Sequence, residues 1–246
     1  MSPESLAATA VVIAGTYLLF GLTGFGSTAL ALPILVHFVP LRFLVPLLSL
    51  MDVIAALTLG ARARRGVRWD ELRRVFPYMG LGLLLGLTLL VGLPEAPLLG
   101  ALGVFLVAYA GHAILRRGGP LRLSTRWSAP AGLASGAFAS LYGNGGLLMA
   151  LYMGARLTDK AELRATASTV VLVNTGVRTV LYGATGLLSQ DGLLTAALLL
   201  LPSLALGLFF GSRLHAAVSP RTVLAAIHLV ILVAGVSLLA RLVVLH

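Results

Sequence analysis

The sequence of 246 residues is 59% hydrophobic and 11% charged, with a mean hydropathy of +1.00, which excludes a protein that folds entirely in water. Its net charge of +10 does not indicate nucleic acid as a partner, because the basic residues lie in short segments between apolar runs. The chain contains no cysteine, which excludes disulfides and thiolate metal sites. These features predict a polytopic membrane protein.

The first half of the chain begins with two short apolar runs, at residues 5–22 and 27–39, which are separated by a glycine-rich break. Both are shorter than the roughly 20 residues that a helix needs to cross the hydrocarbon core, so they are predicted to form half-helices. Three longer runs follow, at residues 43–59, 75–93 and 98–115. The predicted order is a re-entrant helical hairpin, or two short helices, followed by three transmembrane helices.

The second half repeats this order after the basic segment 116–126. Its first two runs, at residues 127–141 and 147–155, are again too short to span. Longer runs follow at residues 165–188, 193–210 and 223–239. The whole chain therefore predicts an all-α integral membrane protein that forms one transporter domain.

The basic residues predict which side of the membrane each loop occupies. Four loops hold fifteen of the eighteen Lys and Arg residues, and these loops are residues 62–74, 116–126, 156–164 and 213–221. By the positive-inside rule they are cytoplasmic, which places the turns at 92–97 and 189–191 outside. We expect the chain in the cell inner (plasma) membrane, with both termini outside.

Internal similarity predicts that the two halves are repeats. Pro77, Gly82 and Gly86 recur 125 residues later, as Pro202, Gly207 and Gly211. The loop 62–74 contains six arginines, whereas the corresponding segment 186–191 contains none, so these loops lie on opposite sides. Such a relation predicts two inverted repeats, over residues 1–118 and 124–246.

Each predicted hairpin is interrupted by a break that, in lipid, needs protein or a polar cavity around it. Half-helices beginning at Ser27 and Gly145 would direct free N–H groups and positive dipole ends at the membrane centre, where an anion is stabilised. The alternative is that the glycines only permit close helix packing. The predicted substrate-binding residues in the two breaks are Gly24, Phe25, Gly26, Ser27, Thr28, Tyr142, Gly143, Asn144, Gly145 and Gly146.

Arg178 lies near the middle of its predicted span, where a guanidinium is unfavourable unless it faces a cavity or a partner. Asn174 lies one turn earlier on the same face, and both side chains are predicted to bind the anion. The alternative role of Arg178 is an ion pair with Asp52, in the corresponding helix of the first repeat. Asp52 in turn either neutralises Arg178 or takes up a proton that couples transport to pH.

The residues of the two breaks resemble the TauE/SafE family of sulfite exporters and related sulfur-compound permeases. The resemblance rests on a glycine-rich break followed by a proline, repeated after a central basic loop. The first copy is Gly24-Phe25-Gly26-Ser27 with Pro33, and the second is Gly143-Asn144-Gly145-Gly146 with Tyr152 at the position of the proline. The resemblance implies transport of small organic or inorganic sulfur oxyanions such as sulfite, sulfoacetate or other sulfonates.

Two other functions stay open from the sequence, namely transport of another small anion such as a carboxylate and a non-transporting role as a membrane scaffold. Enzyme activity is not expected, because the predicted spans contain one acidic residue and no HExxH-like pair. No cofactor or metal is expected. The expected partners are a small anionic substrate and the lipid bilayer, and the sequence leaves open whether the chain forms a homodimer.

Overall fold

A computed structural model describes residues 3–23, 27–60, 66–115, 123–143, 145–157, 159–214 and 220–244. Over these ranges the secondary structure consists of ten α-helices and two short 3-10 segments, so the all-α prediction is confirmed. In chain order the helices are α1 (Pro3–Thr23), α2 (Ser27–Leu35), α3 (Leu41–Gly60), α4 (Trp69–Gly92), α5 (Glu95–Leu115), α6 (Ser128–Tyr142), α7 (Gly145–Arg156), α8 (Lys160–Ala184), α9 (Leu193–Leu214) and α10 (Pro220–Val244).

Among the described residues, five helices are long and apolar enough to cross a membrane, and they are α1, α3, α4, α5 and α9. The helices α2, α6 and α7 are much shorter, with 9, 15 and 12 residues. These three helices correspond to the short apolar runs at residues 27–39, 127–141 and 147–155 of the sequence. They begin or end at the two glycine-rich breaks.

α1 is longer than the half-helix predicted for it. It contains 21 residues and begins at Pro3, a residue that is favourable in the first turn of a helix. The polar residues inside it do not interrupt it, since Thr9 Oγ1 donates to the Ser5 carbonyl at 2.6 Å and Thr16 Oγ1 to the Val12 carbonyl at 2.9 Å. The prediction of a half-helix for this segment was therefore wrong in length.

α4 begins inside the segment that the sequence predicted to be a basic loop. Its first turn contains Asp70 and Glu71, whose negative charges are favourable at the positive end of the helix dipole. The last six residues of the predicted loop, from Trp69 to Arg74, are thus helical. Residues 61–65 of that loop and residues 116–122 of the second basic loop lie outside the described residues.

Glycines of α4 bring it against the backbone of α6. A Cβ at Gly82 would collide with the Leu133 carbonyl oxygen, and one at Gly86 would collide with the Ala137 carbonyl oxygen. Small residues allow this close approach between helices in a membrane protein. The contact joins a helix of the first half to a helix of the second half.

α9 packs against α1 in a similar way. A Cβ at Gly207 would meet the Ala14 carbonyl oxygen, and one at Gly211 would collide with the Leu18 carbonyl oxygen. α3 packs on α8, and α5 packs on α10. Every one of these four helix pairs includes one helix from each half of the chain.

α2 lies in the interior of this assembly. Eight of its nine residues are buried, including the polar residues Ser27 and Thr28. A buried hydroxyl needs a hydrogen-bond partner within the protein. The contacts of these two side chains therefore define the candidate site.

Candidate functional site

A small cavity of about 40 Å³ lies where the first turns of α2 and α7 meet the middle of α3 and α8. This volume is large enough to hold ordered water molecules. The predicted site residues that line it are Ser27, Thr28, Asp52, Gly143, Gly145, Gly146, Asn174 and Arg178. Residues from both halves of the chain thus surround one polar cavity.

The carboxylate of Asp52 accepts hydrogen bonds from four side chains. Its Oδ1 accepts from Tyr17 Oη and from Ser27 Oγ, both at 2.8 Å. Its Oδ2 accepts from Thr28 Oγ1 at 2.6 Å and from Arg178 Nη2 at 3.2 Å. The donors come from three different helices, so their arrangement depends on the tertiary fold.

The guanidinium of Arg178 is fixed in three directions and is 1% exposed. Nη2 pairs with Asp52, Nε donates to Ser49 Oγ at 3.2 Å, and Nη1 donates to the Ala139 carbonyl at 3.0 Å. The ion pair that the sequence left open as one alternative is present in this structure. Substrate contact by Arg178 stays a prediction.

Gly143 connects the second break to the first. It ends α6 in the left-handed conformation, with φ of 72°, and its N–H donates to the Ala139 carbonyl at 2.8 Å. Glycine adopts this conformation without steric penalty, which is why it is common at the end of a helix. A Cβ here would also collide with the methyl group of Thr28 and lie 3.0 Å from Arg178 Nη1. Both constraints require glycine at this position.

α7 begins at Gly145, as predicted, in close contact with α6. The Ser135 hydroxyl donates to the Gly145 carbonyl at 2.8 Å, and a Cβ on Gly145 would collide with the Ser135 carbonyl oxygen. That Cβ would also lie 3.1 Å from Nδ2 of Asn174, which is buried and donates to Met79 Sδ at 3.5 Å. The glycine therefore holds the first turn of α7 between α6 and the polar face of α8.

The family described as "Sulfite exporter TauE/SafE" matches residues 7–238, which are almost the whole chain. The chain belongs to the TauE/SafE sulfite exporter family. It is also similar to the "Probable inner membrane transporter protein TsaS" of Comamonas testosteroni, with 29% identity over 195 residues, which are 78% of this chain and 81% of the relative. No solved structure gives a significant match. The family resemblance predicted from the two breaks is confirmed, and the protein is a membrane transporter of this family.

One described residue that the sequence placed at the site of this TauE/SafE protein does not line the cavity. Tyr142 is buried beside Phe138, and its hydroxyl donates to the Leu98 carbonyl of α5 at 2.8 Å. It supports the end of α6 but faces away from the cavity lining. Gly24, Phe25 and Gly26 of the first break, and Asn144 of the second, lie outside the described residues.

Two polar side chains that were not predicted from the sequence contact the charged residues of the cavity in this TauE/SafE protein. Ser49 contacts both Arg178 and Thr179, whose hydroxyl lies 2.6 Å from its own. Its position three residues before Asp52, on the same helix face, was a usable signal. Tyr17 is 35 residues from Asp52 in sequence, and its apolar surroundings indicate only packing. Nothing local in the sequence shows its contact with the carboxylate.

A second buried carboxylate lies away from the cavity, at the start of α4 near the basic segments. Glu71 is 3% exposed and accepts from Arg156 Nη2 at 2.6 Å, Tyr152 Oη at 3.2 Å and Arg74 Nη1 at 3.4 Å. These contacts tie the start of α4 to the end of α7. The cluster resembles the Asp52 cluster in chemistry but does not line the cavity.

Proposed function

We propose that this TauE/SafE protein transports small sulfur oxyanions such as sulfite, sulfoacetate or other sulfonates, and that it binds them near the membrane midplane between its two glycine-rich breaks. One observation carries the proposal. The first turns of α2 and α7, two hydroxyls and the guanidinium of Arg178 all converge on one small buried cavity. Family membership supports transport, and this convergence supports an anionic substrate.

Each part of this cavity suits an oxyanion. The first N–H groups of a helix have no partner within the helix and form a positive dipole end that binds anions. Arginine presents parallel N–H donors that match two oxygens of a sulfonate or carboxylate. The hydroxyls of Ser27 and Thr28 are already directed at a carboxylate, that of Asp52. A small oxyanion fits the same donors.

The binding of the anion tests this proposal. We expect methanesulfonate to bind the detergent-solubilised protein in isothermal titration at pH 6, and to bind more tightly than acetate. The opposite preference would favour a carboxylate transporter. If neither anion gives a heat of binding, and gel filtration shows that the protein is folded, the proposal is contradicted. The remaining alternative is then the non-transporting role as a membrane scaffold.

We also propose that the chain consists of two inverted repeats, over residues 1–118 and 124–246. The reciprocal glycine contacts support this arrangement. Gly82 and Gly207 lie 125 residues apart, and the residues they contact, Leu133 and Ala14, lie 119 apart. The same offsets relate the contact of Gly86 with Ala137 to that of Gly211 with Leu18. A two-fold relation between the halves would produce this pattern.

The topology of the inverted repeats is testable by cysteine labelling, because the chain contains no native cysteine. Trp69→Cys and Thr125→Cys should react with an impermeant maleimide only from the cytoplasm, and Ala96→Cys and Asp191→Cys only from outside. All four positions are exposed in the structure. Reaction of positions 69 and 191 from one side would exclude the inverted arrangement, since these positions flank corresponding loops. Reaction of Trp69→Cys or Thr125→Cys from outside would contradict the placement of the basic loops in the cytoplasm.

A further inference from the structure

The donors that the proposed function assigns to the substrate are already in contact with a carboxylate. Ser27, Thr28 and Arg178 all donate to Asp52, at 2.8, 2.6 and 3.2 Å. The hydroxyl of Tyr17 adds a fourth bond at 2.8 Å. Asp52 therefore occupies the same donors that an oxyanion would use, and the carboxylate and the substrate compete for them.

The charges of the cavity lead to the same conclusion. Among the described residues that line it, Arg178 is the one cation and Asp52 the one anion, so they compensate each other. A monoanion added beside them would leave a buried negative charge without a partner. Such a charge is strongly unfavourable away from water, and a buried group takes up a proton rather than remain in that state.

We propose that Asp52 takes up one proton when the anion binds, so that the transporter moves its anion together with a proton. This inference rests on the proposed function. The proton comes from water and bonds to a carboxylate oxygen of Asp52, no group is oxidised or reduced, and the neutral acid no longer holds Arg178 as an ion pair. The donors of Arg178, Ser27 and Thr28 then turn to the oxygens of the anion. Release of the anion restores the carboxylate to these donors and returns the proton to water.

Asp52 is the one acidic side chain among the described residues that line the cavity. The side chains that face it are Tyr17 from α1, Ser27 and Thr28 from α2, and Arg178 from α8. Tyrosine and arginine ordinarily titrate well above neutral pH, and serine and threonine do not titrate in this range. No histidine lines the cavity in the part of the chain that the structure describes. A proton taken up with the anion near pH 7 is therefore assigned to Asp52.

The wild-type protein provides the first test. Methanesulfonate stays ionised over the pH range used, so any proton uptake on binding comes from the protein. Titrations from pH 5.5 to 8 in two buffers with different ionisation enthalpies should show about one proton taken up per anion. The affinity should fall by up to about tenfold per pH unit above the pKa of the group that is protonated. Binding without proton uptake would overturn this inference and leave the proposed function intact, whereas absence of binding at every pH would overturn both.

A pair of variants identifies the carboxylate that takes up the proton. Asp52→Asn mimics the protonated acid, so at pH 8 it should bind methanesulfonate about tenfold or more tightly than wild type, without proton uptake. Glu71→Gln is the matched control, because Glu71 is a buried carboxylate in an arginine cluster that does not line the cavity. It should keep the wild-type pH dependence. Proton uptake that persists in Asp52→Asn, or disappears in Glu71→Gln, would overturn the assignment of the proton to Asp52. If either variant misfolds, the titration of the wild-type protein still tests whether a proton is taken up.

Discussion

Replacement of Arg178 by glutamine is expected to lower the free energy of unfolding by about 3–5 kcal/mol at neutral pH, because it removes one partner of a buried ion pair. The remaining carboxylate of Asp52 would keep three hydroxyl donors but lose its cation. Binding of methanesulfonate should be lost as well. Titration with a denaturing detergent measures the first effect, and isothermal titration calorimetry measures the second.

Two further variants separate the structural role of Arg178 from contact with the substrate. Arg178→Lys keeps the charge but does not reproduce the three fixed directions of the guanidinium, toward Asp52, Ser49 and the Ala139 carbonyl. It should bind methanesulfonate at least about tenfold more weakly than wild type, a loss of about 1.4 kcal/mol. The double variant Arg178→Gln with Asp52→Asn should regain stability, because neither charge is left without a partner. If the double variant also regains binding, Arg178 is only the partner of Asp52.

Replacement of Gly145 by valine is expected to abolish binding of methanesulfonate. The new Cβ would collide with the Ser135 carbonyl oxygen and lie 2.8 Å from the Cβ of Ala139, so α7 would have to move away from α6. Overpacking of this kind commonly lowers the free energy of unfolding by about 1–3 kcal/mol. The displacement would also move the first turn of α7 relative to the cavity, which is the reason for the loss of binding.

Gly154→Val is the matched control on the same helix. A Cβ at Gly154 would meet no atom within 4 Å, so this variant should fold and bind methanesulfonate as wild type does. Gel filtration in detergent shows whether both variants are folded. Equal binding by the two valine variants would show that the close approach of α6 and α7 is unnecessary for the site.

The order of the helices and the positions of the breaks could be predicted from the sequence, although α1 is longer than predicted. α2 begins at Ser27 and α7 at Gly145, because in both places glycines separate runs that favour helix. The ion pair of Asp52 and Arg178 could be anticipated as one alternative, since charged residues in membrane spans pair or face a cavity. These inferences depend on strong local signals, such as a charge in an apolar run.

Apart from this ion pair, contacts between residues distant in sequence could not be predicted. Tyr17, Ser27 and Thr28 reach the same carboxylate only because α1, α2 and α3 pack together, and their spacing along the chain does not encode that contact. For Tyr142, the sequence predicted a place at the site that the structure does not show. It adjoins the second break in sequence, yet its hydroxyl bonds to a carbonyl of α5, because a side chain one residue from a turn can face either way.

Uptake of radiolabelled methanesulfonate into proteoliposomes is the measurement that tests the proposed function most directly. It detects the anion itself, so it also detects an anion that moves together with a proton and carries no net charge. Proteoliposomes that contain the wild-type protein should take up the label at a rate that saturates with concentration. Liposomes without protein should take up none, and Arg178→Lys proteoliposomes should require a higher concentration for the same rate. Binding in detergent together with an uptake equal to that of protein-free liposomes would contradict transport of sulfur oxyanions by this protein.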